Sequence, residues 1–246
     1  MKRIIFLAIC LLQYINSVNA QFIEKHKFNY SNAYYDILII KVDSAVLENL
    51  KIVVNTKNLS EEDYFESMQI DTSYFAITAS IVDSVCYPLG LFINNYKINN
   101  EINLATGTGN FYLTPNGYFA TDPNHFIISE SKKYNKNVNY NTAIQSGPLL
   151  LLNGKINSNF DKNSKNTNIR CGVGIYNTNN VDYLIFVKSI TPVTFYEFAN
   201  LFLTKYDCKN ALCLESGGSC SMHLPSIKSK FRTDVSICNY IYLKLN

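Results

Sequence analysis

Glu215 has the most suggestive chemical setting in this sequence. It follows the short apolar run Ala211-Leu212-Cys213-Leu214 and precedes Ser216-Gly217-Gly218-Ser219. A carboxylate where a buried strand opens into a Gly-rich turn is placed for proton transfer, with bare backbone beside it for a ligand. Arg170 stands before Cys171-Gly172-Val173-Gly174. Its planar fork suits bidentate hydrogen bonding to an anionic ligand better than lysine would, though the residues alone favour a surface or ion-paired arginine. Asp83 closes the apolar run Tyr74 to Val82 as a second carboxylate or as a structural salt-bridge partner. Ser146, between Gln145 and Gly147, lacks the G-x-S-x-G elbow of a serine nucleophile, and His26, His125 and His223 offer no evident triad. Gly107-Thr108-Gly109-Asn110 reads either as a phosphate cradle or as a plain β-turn.

Metal chemistry is not expected. Cys208, Cys213 and Cys220 lack paired C-x-x-C spacing, and no histidine completes a zinc set. Glu215 with nearby serine hydroxyls could bind a hard divalent cation, but one carboxylate gives that thin support. The expectation is no cofactor.

The elements that must position these residues are partly legible. Thr194 and Glu197 form a T-x-x-E capping box. Phe195, Phe198, Leu201 and Phe202 then share one helical face until Tyr206-Asp207 ends the run. With a strand over Asp182 to Ile190 before it and the Ala211 run after it, this gives a strand–helix–strand unit. Tyr34 to Ile40 and Ile52-Val53-Val54 read as strands. Ser60 to Phe65 starts a helix with early acids. Asn116-Gly117 and Asn153-Gly154 are hairpin-turn signals.

Residues 1–20 read as a secretory signal peptide: Lys2 and Arg3, an apolar run to Leu12, and Val18-Asn19-Ala20 for cleavage. That run is too short to span a bilayer. Lys2 and Arg3 carry two of the three net positive charges, so the mature chain is nearly neutral. Nothing then points to nucleic acid or an anionic membrane as partner. Six cysteines lie beyond the signal, which permits three disulfides in any of fifteen pairings. Cys208 or Cys213 is placed to staple the helix region to the tail near Cys238. The expected organisation is a 21–70 strand-rich extension packed on a main domain over 71–246.

Leu214 to Met222, L-E-S-G-G-S-C-S-M, resembles the L-D-G-G-G-S-S-x-M signature of the phosphodiester glycosidase family. Gly107 to Gly117 resembles its G-x-G-N-F-x-L-x-P-N-G block, and Gln145 to Ile156 its Q-S-G-P-L-L-x-x-x-G-K-I block. Pro88, Gly90, Leu91 and Ile93 fit a further block, and Arg170 stands where the family has arginine before G-V-G. The chain departs at Thr78 (family Asn), Ser80 (Gly), Val82 (aromatic), Ser216 (Gly) and Cys220 (Ser), with Glu215 for Asp.

The resemblance implies an α+β fold, with a mixed, curved β-sheet flanked by helices in a single main domain. It implies hydrolysis of a sugar–phosphodiester linkage, with Glu215 as the acid and Asp83 as a candidate second carboxylate. Arg170 would grip phosphate. Asn110, Gln145, Ser146, Gly147, Gly217, Gly218 and Ser219 would contact a carbohydrate or sugar-phosphodiester ligand. The altered Thr78, Ser80 and Ser216 keep a second expectation open, a glycan- or phosphoglycan-binding protein without turnover. Either would be exported, periplasmic or extracellular.

Overall fold

The computed structural model describes residues 22–69, 73–226 and 236–245; the signal-peptide reading lies outside them. Antiparallel strands dominate. A seven-stranded sheet runs Phe22–Tyr30, Ala33–Lys41, Val181–Ser189, Arg170–Thr178, Asn210–Ser216, Leu149–Leu152, Lys155–Ile156. A four-stranded sheet runs Met222–His223, Tyr74–Thr78, Asn239–Lys244, Lys51–Val54. A five-stranded sheet runs Lys97–Asn100, Phe92–Asn94, Thr142–Ser146, Gly117–Asp122, His125–Glu130. The α+β class holds, with the strands divided among three sheets.

The large sheet is buried on both faces, which explains its near-continuous apolar strands. Successive side chains of a strand point to opposite faces. Leu38 and Ile40 therefore join Val173, Phe186, Leu212 and Leu214 in the core shared with the smaller sheets. Tyr35, Ile37 and Ile39 turn the other way, under Phe198, Leu201 and Phe202. That helical cover is Phe195–Asn200, continued by a π turn over Leu201–Lys205. Its capping box forms as expected: Thr194 Oγ1 accepts from Glu197 N–H at 3.1 Å, and Glu197 Oε2 accepts from Thr194 N–H at 2.8 Å. Ser60 likewise caps Glu61–Ser67.

The N-terminal strands are woven into the rest. Ala33–Lys41 pairs along the Val181–Ser189 strand, and Lys51–Val54 pairs with Asn239–Lys244.

Two local expectations are corrected. Asn153-Gly154 does make a hairpin turn, both residues having positive φ. Asn116-Gly117 does not: Gly117 begins a strand, whose hairpin turn comes after Asp122. A Cβ on Gly117 would sit 2.6 Å from Leu149 Cδ2, so its bareness serves packing. The cysteine framework also differs. Cys86 pairs with Cys238, while Cys171, Cys208, Cys213 and Cys220 are buried thiols. Neither Cys208 nor Cys213 reaches the tail, because both lie on the helix-covered face of the large sheet.

Candidate functional site

Glu215 ends the Asn210–Ser216 strand, where the pairing shifts. Cys171 faces Glu215 and Gly172 faces Cys213, so Leu214 is left as a bulge. Bulges re-aim the side chains that follow them. Here the bulge sets Glu215 at the strand's mouth, half-buried, with Oε1 accepting the Ser216 N–H at 2.7 Å. Burial raises its carboxyl to about 7, against a smaller downward pull from that N–H. An acid near 7 holds its proton in a substantial fraction of molecules at neutral pH.

The turn beyond is pinned at several points. Gly217 adopts φ 92°, where a side chain would be strained, and donates its N–H to Ile169 O at 2.7 Å. A Cβ built on Gly217 or Gly218 would meet nothing within 4 Å, so the space beside the turn is open. Gly218 and Ser219 are exposed. Cys220 N–H closes the turn on Gly217 O at 3.2 Å. Thr78 holds its exit: Oγ1 donates to Ser219 O at 2.8 Å and accepts from Ser221 N–H at 2.9 Å. Ser146, also buried, donates to Leu214 O at 2.7 Å.

Arg170 is only 1% exposed and reaches Ser216. Its Nε donates to Val193 O at 2.9 Å, Nη1 to Ser216 Oγ at 2.9 Å, and Nη2 to Asn166 O at 3.3 Å. The guanidinium lies 3.5 Å from the centre of the Phe195 ring. Among the described residues no carboxylate forms an ion pair with it. Burial pushes its pKa down, opposed by the surrounding Cys213, Cys220 and Glu197. Phe195, Asn166, Phe160, Tyr196 and Thr114 also line a cavity of about 170 Å³.

Other expected contacts are placed differently. Gln145 is fully buried and spends its amide on the protein. Oε1 accepts from Leu91 N–H at 3.0 Å and Asn103 N–H at 2.8 Å; Nε2 donates to Asn103 O at 2.7 Å and Ser131 Oγ at 3.0 Å. Gly90 must be bare, since a Cβ there would fall 2.1 Å from Gln145 Oε1. Gly147 packs against Asn116, where a Cβ would lie 2.9 Å from its side chain. Asp83 is exposed, and its Oδ1 accepts from Val85 and Tyr87 N–H, each at 2.9 Å. It organises its own turn and makes no contact with Glu215. Asn110 starts a short 3-10 turn after Gly109 (φ 91°), half-exposed. Ser80 is buried against Asn239, whose Oδ1 accepts from Ser80 N–H at 2.9 Å and whose Nδ2 donates to Ser80 Oγ at 3.1 Å.

Two supports carry no motif. The buried Glu61 carboxylate accepts from Ser221 Oγ and from Tyr240 Oη, holding the strand just past the turn. Asn239 does the same for residues 79 and 80. The early acids of the Glu61–Ser67 helix signalled only a dipole preference. Among the described residues no group of three or more His, Cys, Asp or Glu side chains could hold a metal.

Fold and site together define an antiparallel α+β protein with a near-neutral acid at a strand end beside a bare glycine turn. The chain belongs to the phosphodiester glycosidase family, whose model matches residues 64–242. It is 35% identical over 142 residues to an uncharacterized Escherichia coli K12 protein, YigE. That stretch is 57% of this chain and 54% of YigE, so the chain spans about half the length of that relative. Among solved structures it resembles the catalytic domain of zebrafish N-acetylglucosamine-1-phosphodiester alpha-N-acetylglucosaminidase, auto-inhibited by its pro-peptide. The TM-score is 0.60 at 16% identity, covering 92% of this chain and 83% of that one. A hypothetical protein from Synechocystis matches with TM-score 0.55 at 12% identity, over 89% and 61% of the two chains. Likeness at those identities establishes the fold.

Proposed function

We propose that this chain is an exported hydrolase of sugar-1-phosphodiesters, with Glu215 as its general acid. The observation that carries this is the Glu215 carboxyl, raised to about 7 and set beside the bare Gly217-Gly218 backbone. Cleaving the anomeric C–O bond requires a proton on the departing oxygen, and a carboxyl near neutrality is tuned to give one. Arg170 supports the substrate class. A buried guanidinium without a carboxylate partner is electrostatically incomplete, and a phosphate near Ser216 supplies the missing charge. Three of its five N–H donors go to the protein, which leaves two for a ligand. Ser219 and the Gly217-Gly218 backbone would meet the sugar. Gln145, Ser146 and Gly147 act one step back, as positioning residues. The Cys86–Cys238 disulfide supports an oxidising, exported setting.

A second reading has its own support. Glycosidic hydrolysis ordinarily uses two carboxylates, and among the described residues Asp83 is tied into its own turn. On that reading the site binds a phosphoglycan without turning it over. The test is hydrolysis of a panel of sugar-1-phosphodiesters by the mature chain and by Glu215→Gln. Sugar release by the parent alone supports the hydrolase. Equal release by both removes Glu215 from the mechanism. No release, with a thermal shift on adding the same compounds, selects the binding reading.

A further inference from the structure

Three thiols surround the Glu215 turn, and the sheet sorts them. Cys213 lies on the helix-covered face, with its Sγ 3.6 Å from Ser216 Oγ. Cys171 and Cys220 lie together in the core on the other face. They are close enough for Cys171 to add to the upward push on the Cys220 thiol. Each also reaches backbone within two residues of the other: Cys171 Sγ is 3.7 Å from Ser221 O, and Cys220 Sγ is 3.4 Å from Ile169 O. Cys171 is the residue that faces Glu215 across the strand pair, and Cys220 closes the turn that follows Glu215.

We infer that Cys171 and Cys220 form a second disulfide, which fastens the exit of the Glu215 turn to the Arg170 strand. The Cys220 thiolate attacks a low-molecular-weight disulfide such as oxidised glutathione, expelling one glutathione thiolate and leaving a mixed disulfide on Cys220. The Cys171 thiolate then attacks the Cys220 sulfur and expels the second glutathione. Two protein thiols are oxidised, one glutathione disulfide is reduced, and the protons leave with the two glutathione thiols. Burial raises the Cys220 thiol pKa in the folded chain, which disfavours its reactive thiolate. The exchange therefore belongs to folding in an oxidising compartment, before the core closes. Cys208 is excluded as partner: it packs near Gly174, on the face opposite Cys171 and Cys220.

Once made, the bond would fix the turn where Thr78 now holds it by hydrogen bonds alone. It does not depend on the hydrolase reading, because thiols are counted without any substrate. The reduced mature chain is refolded in a glutathione redox buffer, trapped with N-ethylmaleimide, unfolded, alkylated again with a second reagent, and mapped by mass spectrometry without reduction. The expected map links Cys86 to Cys238 and Cys171 to Cys220, with Cys208 and Cys213 alkylated. The chain is then lighter by two hydrogens for each bond. Cys220→Ser should keep the first link and leave Cys171 alkylated; Cys171→Ala should leave Cys220 alkylated and serves if the first variant fails to fold. The inference is overturned if folded parent protein carrying Cys86–Cys238 has both Cys171 and Cys220 alkylated. A link from Cys220 to Cys213 overturns it equally.

Discussion

Replacing Glu215 by Gln should make the folded protein more stable as pH rises, and the size of the effect follows from the site. An ordinary glutamate titrates near 4.5 and Glu215 at about 7, because its charged form is poorly solvated where the strand ends. In the unfolded chain the carboxyl loses its proton near 4.5; in the folded chain it keeps it until about 7. The folded state thus binds more protons across that window, so stability falls as pH rises through it. The full shift corresponds to about 3 kcal/mol, and partial solvent access to the carboxylate lowers this to about 2. Gln cannot ionise, and its Oε1 can still accept the Ser216 N–H. Urea or thermal unfolding of parent and variant, at intervals from pH 4 to 8, should give curves that separate with rising pH. At pH 8 the variant should melt roughly 4–8 °C higher. All other titrating groups are common to both proteins and cancel in the difference. Curves separated by a constant offset would show that Glu215 titrates normally, and its candidacy as a neutral-pH acid would go with it.

Gln145→Leu should be costly out of proportion to its size. It strips the Leu91 and Asn103 N–H groups of their shared acceptor in a closed interior, at about 1–3 kcal/mol for each group left unpaired. Chemical denaturation should show that loss, and a midpoint within error of the parent would mean water or a neighbour replaces the amide. Changing both Cys86 and Cys238 to Ala opens a cross-link spanning 152 residues and should cost about 2–5 kcal/mol. Urea unfolding of parent and double variant under the same non-reducing conditions checks that figure, and coincident curves would refute it.

What the sequence disclosed was mostly local. The Thr194–Glu197 box and the Asn153-Gly154 turn involve residues within one turn of each other, so their chemistry is complete in the string. The four apolar helix positions likewise stated their face, and the structure lays it on the large sheet. Asn116-Gly117 misled because a glycine can be bare for a distant neighbour's sake, here Leu149, as readily as for its own φ. The cysteines misled for a related reason. Cys86 meets Cys238 only because their segments both lead off the four-stranded sheet, a relation no spacing encodes. Gln145 was legible as important but not as a brace, since its partners are backbone groups of residues 91 and 103 and the Ser131 hydroxyl, all distant in sequence. Glu61 was invisible as a support because its partners, the Ser221 and Tyr240 hydroxyls, lie 160 and 179 residues away along the chain.

The altered motif positions take on a different meaning in three dimensions. Thr78, Ser80 and Ser216 each place a hydroxyl in a hydrogen bond that organises the rim of the site. Ser216 receives Arg170 Nη1, Thr78 ties the 219–221 backbone, and Ser80 meets the amide of Asn239. Glycine at 216 would leave Nη1 without this partner in a buried setting, so Ser216 and the buried posture of Arg170 form one arrangement. Glu215 belongs to the same set of changes. It is one methylene longer than the family's aspartate, about an ångström of reach, on a turn fastened at Ile169, Ser146 and Thr78. A turn held at that many points cannot swing to absorb the extra length. On the hydrolase reading, Glu215 would therefore meet a substrate further out from the strand end than an aspartate would, and that substrate would have to present its leaving oxygen there.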